Sequence, residues 1–282
     1  MQFQIGAELH YDILQRTTLI LNVHALRTPS QNIVEENFHV EPQVRCEEFL
    51  SVSGENRFVR IETGSAKKLA VRYSARVETH VRTVAQRAIK AVPVSHIDRA
   101  VIPYLFPSRY CQSDRLGRLA WSKFGRLKHP YDRVVAVTEW IHDNVEYLRG
   151  STNSETSAFD TVTQRAGVCR DFAHLGIALC RALSIPARYF TGYAFDLQPP
   201  DFHACFEAHI GDRWFIFDPT RLAPLNGLVR IATGRDAADA SVATIFGRTR
   251  CTLLSVSCEA LTENFRPWTH RQTTKSGMSL DG

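Results

Sequence analysis

The sequence predicts an α+β protein in which helices pack on an antiparallel sheet, preceded by a small antiparallel β domain. Three observations predict it. Residues from about 7 to 80 fall into short apolar runs with a two-residue rhythm, separated by turn signals. Two later stretches, about 130–148 and 169–183, repeat their apolar residues at helical spacing. Strand patterns then return after Pro186, with a hairpin signal at Gly211-Asp212.

In the first part, Leu19, Leu21, Val23 and Ala25 alternate with Ile20, Asn22 and His24. Phe58, Val59 and Ile61 make a second run, and Leu69-Ala70-Val71-Arg72-Tyr73 leads into Val77. Turns are expected at Thr28-Pro29-Ser30, Glu41-Pro42, Ser53-Gly54-Glu55-Asn56 and Thr63-Gly64-Ser65. Pro93, Pro103 and Pro107 mark a junction within 81–110. We therefore expect a β domain over 1–100, a second, core domain over 101–265 and a polar, mobile tail over 266–282. In the core, Val134, Val137, Trp140, Ile141 and Val145 line a helix from Pro130 to Leu148, with Pro130 suited to its first turn. Residues 150–160 are polar and read as a loop. A second helix runs from Cys169 to Leu183 with Phe172, Leu175, Leu179 and Leu183 on one face, and Pro186 stops it. Strands follow at Ala187–Ala194, His203–Ile210 and Trp214–Asp218.

Composition narrows the function. With 282 residues, 44% hydrophobic and 22% charged, the chain can build a core that needs no disulfide or metal staple. The net charge of +5 is scattered, without the basic stripe and interleaved aromatics of a nucleic-acid groove. The start, Met1-Gln2-Phe3-Gln4-Ile5-Gly6-Ala7-Glu8, lacks a signal-peptide pattern, and no segment approaches the ~18 apolar residues of a membrane helix. The expected compartment is the cytoplasm, with neither nucleic acid nor membrane as partner. The seven cysteines are odd in number and irregularly spaced, with no CxxC, which argues against a disulfide framework and a structural zinc site.

One cysteine has informative neighbours. Gly167-Val168-Cys169-Arg170-Asp171-Phe172 places Cys169 in the first turn of an amphipathic helix. Free backbone N–H groups and the positive end of the helix dipole stabilise a thiolate there. The same N–H groups, including that of Cys169, can receive an oxyanion. Gly167 leaves room before the thiol. Cys180, on the same helix beside core positions, reads as structural; so would Cys169 if the helix were all there was to see.

The hairpin supplies a partner. If Ile210 pairs with Arg213 across Gly211-Asp212, then Cys205 faces Asp218, and His203 and Asp218 become diagonal neighbours roughly 7–8 Å apart at their backbones. In that register Ala204, Phe206, Ala208, Ile210, Phe215 and Phe217 share a core face. His203, Cys205, Glu207, His209 and Asp218 share a more polar one, so the hairpin is expected to be half-buried. Read alone, His203 could simply begin a strand and Asp218 could open an Asp-Pro-Thr turn. His209 has no acid at the matching cross-strand position. His174 lies five residues after Cys169, roughly 140° round the helix.

A thiol needs a base, and the base needs an orienting acid. The chain offers Cys169, His203 and Asp218 in that order. Here a resemblance enters. Gly167-Val168-Cys169-Arg170-Asp171-Phe172-Ala173-His174 resembles the nucleophile helix of the bacterial transglutaminase-like superfamily. Ile185-Pro186-Ala187-Arg188-Tyr189 through Gly192-Tyr193 resembles its following strand, Asp201-Phe202-His203-Ala204 its histidine strand, and Trp214 to Thr220 its Asp-Pro-Thr motif. The resemblance covers roughly 110–225 and implies a papain-like core. The N-terminal β region is similar in position to the extra domain that often precedes such cores. Where members often carry an aromatic two residues after the histidine, this chain has Cys205.

The resemblance implies acyl transfer without a cofactor. Cys169 would attack an amide carbonyl of a peptide or protein, His203 would move the proton, and Asp218 would hold the imidazole tautomer. Water as acceptor gives a protease or amidase; an amine gives a transglutaminase. Bacterial members are more often regarded as cysteine peptidases, so hydrolysis is the expected outcome. No EF-hand pattern is present, so calcium activation is not expected. Two other readings compete: a binding module that retains the fold without catalysis, and a metal site from Cys169, His203, Cys205 and His209. The oligomeric state is left open.

Overall fold

Alternation builds the first part of the chain. In the computed structural model, which describes residues 1–52 and 56–281, the strand β1 (Gln2–Ile13) buries every second residue: Phe3, Ile5, Ala7, Leu9, Tyr11 and Ile13. The expected turn residues Ser53, Gly54 and Glu55 lie outside the described residues, as does Gly282. The chain continues through β2 (Thr18–Leu21), β3 (Gln31–Glu41), β4 (Arg45–Leu50), β5 (Arg57–Glu62), β6 (Lys68–Thr79) and β7 (Arg82–Ala85). Next come α1 (Ser113–Phe124), α2 (Pro130–Asn144), β8 (Glu146–Tyr147), α3 (Ala158–Gln164), β9 (Ala166–Gly167) and α4 (Cys169–Ala182). The last part contains β10 (Ala187–Ala194), β11 (His203–Ile210), β12 (Arg213–Phe217), β13 (Leu228–Gly234), β14 (Ala243–Phe246), β15 (Thr249–Ala260), α5 (His270–Thr273) and β16 (Ser276–Ser279).

Three antiparallel sheets of four strands result, ordered β15-β1-β6-β3, β14-β2-β5-β4 and β12-β11-β10-β13. The first two form the β domain. The third carries α4 on one face, where Gly176 lets the helix approach so closely that an added Cβ would sit against the Phe206 ring. Buried residues of the β domain and of the helices join in one hydrophobic core. Among the described residues no helix is long and apolar enough to cross a membrane.

Four expectations need correction. Residues 243–260, read as part of the 101–265 core, return to the β domain: β15 lies along β1 from Phe3↔Ala260 to Ile13↔Thr249, and β14 pairs with β2. Without them the inner flanks of β1 and β2 would be bare edges. Two helices were missed. In α1, Leu116, Ala120 and Phe124 bury one narrow stripe. In α3, which begins within the expected loop, Ser157 caps the start and Asp160 returns a hydrogen bond to the Ser157 N–H.

The tail is the third correction. Rather than moving freely, β16 pairs with β7 along Ser276↔Ala85 to Ser279↔Arg82, and Met278 and Leu280 are buried. They cover the face of the third sheet opposite α4, packing with Phe190, Cys205, Ile216 and Leu228. That makes the fourth correction: the β11–β12 hairpin is buried on both faces, not one. Its polar residues survive burial by pairing. Glu207 accepts from Arg188 Nε at 2.6 Å and from Arg230 Nη2 at 2.5 Å, while Asp281 accepts from Arg188 Nη2 at 3.1 Å and Arg230 Nη1 at 2.6 Å. Two guanidiniums thus meet two carboxylates, and Arg188 also stacks over Trp214 at 4.3 Å. The charges balance, which buried ions require, although Arg230 Nε is left without a hydrogen-bond partner among the described residues.

Burial pushes the Asp281 pKa up, but Arg230 and Arg188 outweigh it, and the net direction is down. Asp281 therefore stabilises the fold above the unfolded carboxylate pKa of ~3.9, and this is lost as pH falls through the lower folded value. Asp281→Asn should cost roughly 1–3 kcal/mol at neutral pH, the worth of hydrogen bonds to charged groups. In denaturant unfolding, the gap between variant and wild type should close in strong acid.

Candidate active site

The site begins at the first turn of α4. Cys169 is its first helical residue and is partly exposed. The turn is held by Asp171, whose carboxylate is fully buried. Its Oδ2 accepts from the Val168 N–H at 2.9 Å and from the Thr152 hydroxyl at 2.6 Å, and Arg170 pairs with Oδ1 at 3.2 Å. Gly167 has a use different from the one expected: a Cβ there would lie 2.7 Å from the Asp171 Cβ, so the glycine makes room for the capping carboxylate.

A strap, residues 145–153, passes in front of this turn. Its β8 runs parallel to β9, with Glu146↔Ala166 and Tyr147↔Gly167, and Leu148 N–H donates to the Gly167 carbonyl at 2.9 Å. That register sets Tyr147 beside Cys169, near enough for Cys169 to act on its hydroxyl. Burial, then the nearby Cys169 thiol, raise the Tyr147 pKa, so it stays a neutral O–H donor. Sequence reasoning missed Tyr147 because the apolar rhythm of α2 ran on through it; the helix ends at Asn144 instead. Asp171 was quoted only as part of a motif, although an acid at the third helical position is a capping signal.

The hairpin adopts the expected register, with Ile210↔Arg213 through Phe206↔Phe217, and Gly211 turns it at φ +73°. His203 is 1% exposed and Asp218 6%. His203 Nε2 donates to Asp218 Oδ2 at 2.8 Å, while Asp218 Oδ1 accepts from the Thr220 N–H at 2.9 Å and hydroxyl at 2.7 Å. The two readings of Asp218 are thus both true: one oxygen shapes the Asp-Pro-Thr turn and the other holds the histidine. With Nε2 engaged, Nδ1 is buried without a hydrogen-bond partner among the described residues, and the Cys169 thiol is among the groups that act on the ring.

Burial would push the His203 pKa down, but the Asp218 carboxylate overrides it, helped by the neighbouring thiols, and the net direction is well up. Asp218 shows the converse: burial raises it, while His203 and Thr220 pull it below the usual carboxylate range. Both shifts favour the imidazolium–carboxylate form of the pair, which is shielded from water.

The other candidates fall away from this centre. His174 is fully buried, accepts from the Ala237 N–H at 3.1 Å and stacks on Tyr110 at 5.0 Å; burial, then Arg170 and Arg181, hold its pKa well below the ordinary value. His209 packs edge-on against Trp214 rather than joining His203. Cys180 is buried and its pKa is raised by desolvation. Cys205 is the neighbour that matters. Its sulfur, a His203 nitrogen and an Asp218 oxygen lie within 4.8 Å of one another, the one such cluster among the described residues that could hold a metal ion. Burial, then Asp218, push its pKa up to about 12, and Asp218 is already committed to His203 and Thr220.

A family model for the transglutaminase-like superfamily matches residues 119–219, which contain Cys169, His203 and Asp218. A second, for the bacterial transglutaminase N-terminal domain, matches residues 1–100. A solved structure of a candidate cysteine protease from Cytophaga hutchinsonii is 56% identical, superposes with a TM-score of 0.96, and is matched over 99% of this chain and 97% of its own. The chain belongs to the transglutaminase-like superfamily. Its third sheet with α4 is the transglutaminase-like core, and the β domain is the N-terminal domain of the bacterial members. Among curated proteins, an uncharacterized protein of Mycobacterium leprae is 28% identical over 144 residues, 48% of this chain and 51% of its own length. An uncharacterized protein of Mycobacterium bovis is 40% identical over 60 residues, 21% of this chain and 19% of its own. The chain thus spans about half the length, or less, of these curated relatives.

The folded-state pKa of His203 lies above the unfolded value of ~6.5, so its contribution to stability is complete below that pH and is lost as pH rises through the folded value. Asp218→Asn keeps the shape but removes the charge. By NMR the His203 ring should titrate well above 6.5 in the wild type and fall in Asp218→Asn. The stability difference between the two should be larger in mild acid than in alkali.

Proposed function

We propose that the protein is a thiol-dependent acyl-transfer enzyme that hydrolyses peptide or side-chain amides. The observation that carries this reading is the buried His203, tied by Nε2 to Asp218 with its other nitrogen open to a thiol at a helix start. Cys169 attacks the amide carbonyl as thiolate, and its proton resides on His203. The oxyanion is received by the Cys169 N–H and by the neighbouring Tyr147 hydroxyl. His203 protonates the leaving amine, and Asp218 keeps the imidazole oriented and balances its charge. Water, activated by the neutral His203, then attacks the thioester; Cys169 leaves as thiolate and the acid is released. An amine in place of water would make the reaction a transamidation, and the partly exposed thiol leaves both acceptors a route.

Limiting iodoacetamide should modify Cys169 fastest of the seven cysteines, and mass-spectrometric mapping should show the advantage lost in His203→Ala. Against an amide substrate, Cys169→Ser and His203→Ala should be inactive, Asp218→Asn impaired, and Cys180→Ser and Cys205→Ser active. Tyr147→Phe should lower kcat by roughly 10²-fold, the loss of one oxyanion donor. An unreactive Cys169 in folded protein favours a binding module instead. Amine incorporation exceeding hydrolysis at moderate amine concentration favours the transglutaminase reading.

A further inference from the structure

The strand β15 is twelve residues long and forms the outer edge of its sheet. Only the side facing β1 is paired among the described residues, so its other row of backbone N–H and C=O groups has no strand to meet. Leu253 and Leu254 on it are 39% and 46% exposed, and Phe246 beside it is 60% exposed. Long, apolar, uncovered edges are templates for another strand.

The order of residues along β15 names the strand that fits. Pairing with β1 assigns each residue a face. Thr249, Cys251, Leu254, Val256, Cys258 and Ala260 lie on the inner face, opposite the buried Ile13, Tyr11, Leu9, Ala7, Ile5 and Phe3. Arg250, Leu253, Ser255, Ser257 and Glu259 lie on the outer face. The phase changes at Thr252, the extra residue of a bulge between Tyr11↔Cys251 and His10↔Leu253.

We propose that the partner of β15 is β15 of a second copy of this chain, antiparallel about a two-fold axis at Ser255, so that two four-stranded sheets become one continuous sheet. In this register Leu254 lies opposite Val256 of the second copy, Leu253 opposite Ser257, Cys251 opposite Cys258, and Arg250 opposite Glu259. Every pair shares a face, as directly opposite residues must, and the bulge makes this so: without the phase change Arg250 and Glu259 would lie on different faces. The charges are complementary. Glu259 has no ion pair among the described residues, while Arg250 already holds Asp12 on β1. Pairing therefore creates an acid–base–acid row across three strands, twice over by symmetry.

The test is the mass of the full chain in solution by sedimentation equilibrium from micromolar concentrations upward. The expected result is a concentration-dependent dimer of twice the 31.9 kDa chain mass. Arg250→Glu alone and Glu259→Arg alone should each weaken it at least tenfold, and the double variant should restore it. Neither residue belongs to the proposed catalytic set, so turnover per folded chain should not change. Hydrogen exchange on the wild type removes any dependence on variant folding: the β15 amides should gain protection as concentration rises. A chain that stays monomeric throughout overturns the proposal. So does a dimer that leaves β15 amides unprotected, or one that the charge reversals and their combination do not affect.

Discussion

The position of one helix turn governs the rest of the site, and a buried carboxylate sets it. Asp171 satisfies an otherwise free N–H at the start of α4, gathers the Thr152 strap and takes Arg170 as its counter-ion. Because Gly167 yields the space that Asp171 needs, the chain turns sharply into the helix with Cys169 leading. Further along, Gly176 seats the same helix on Phe206 of β11. The thiol is thus held by a cap at one end and by close packing on the strand that carries His203. Neither constraint touches the proposed reacting atoms, yet both bear on whether thiol and imidazole can meet.

Much of this was legible in residue order, and the reasons differ by element. The hairpin was readable because a two-residue turn and strict alternation leave one sensible register, and that register puts His203 beside Asp218 whatever else the chain does. Cys169 was readable because a helix start has fixed chemistry. Tyr147 was not, because its position depends on two short parallel strands that carry no periodic signal. The fate of residues 243–281 was also invisible: partners far apart in sequence leave no local mark. The second buried face of the hairpin was misjudged for the same reason. Glu207 and Arg188 look like solvated charges until Arg230 and Asp281 arrive from elsewhere to complete them.

Cys205 shows how the chain tolerates a departure from the usual superfamily pattern. A small, protonated thiol occupies the sheet position beside His203 and Asp218, and Phe190, Ile216 and Met278 close the space around it. Its high pKa keeps a second negative charge away from Asp218, so the imidazolium has a single counter-ion within the sheet. A thiolate there would compete with Cys169 for the histidine proton.

The return of β14 and β15 to the first domain has a consequence in time rather than space. The sheets begun by β1 and β2 are completed only by residues 243–260, and the proposed catalytic sheet is sealed only by Met278, Leu280 and Asp281. A growing chain therefore presents open strand edges and an uncovered hairpin until residues 243–281 have appeared. Both halves are completed by that same late segment, so the proposed thiol–histidine pair would not be assembled beside an unfinished β domain.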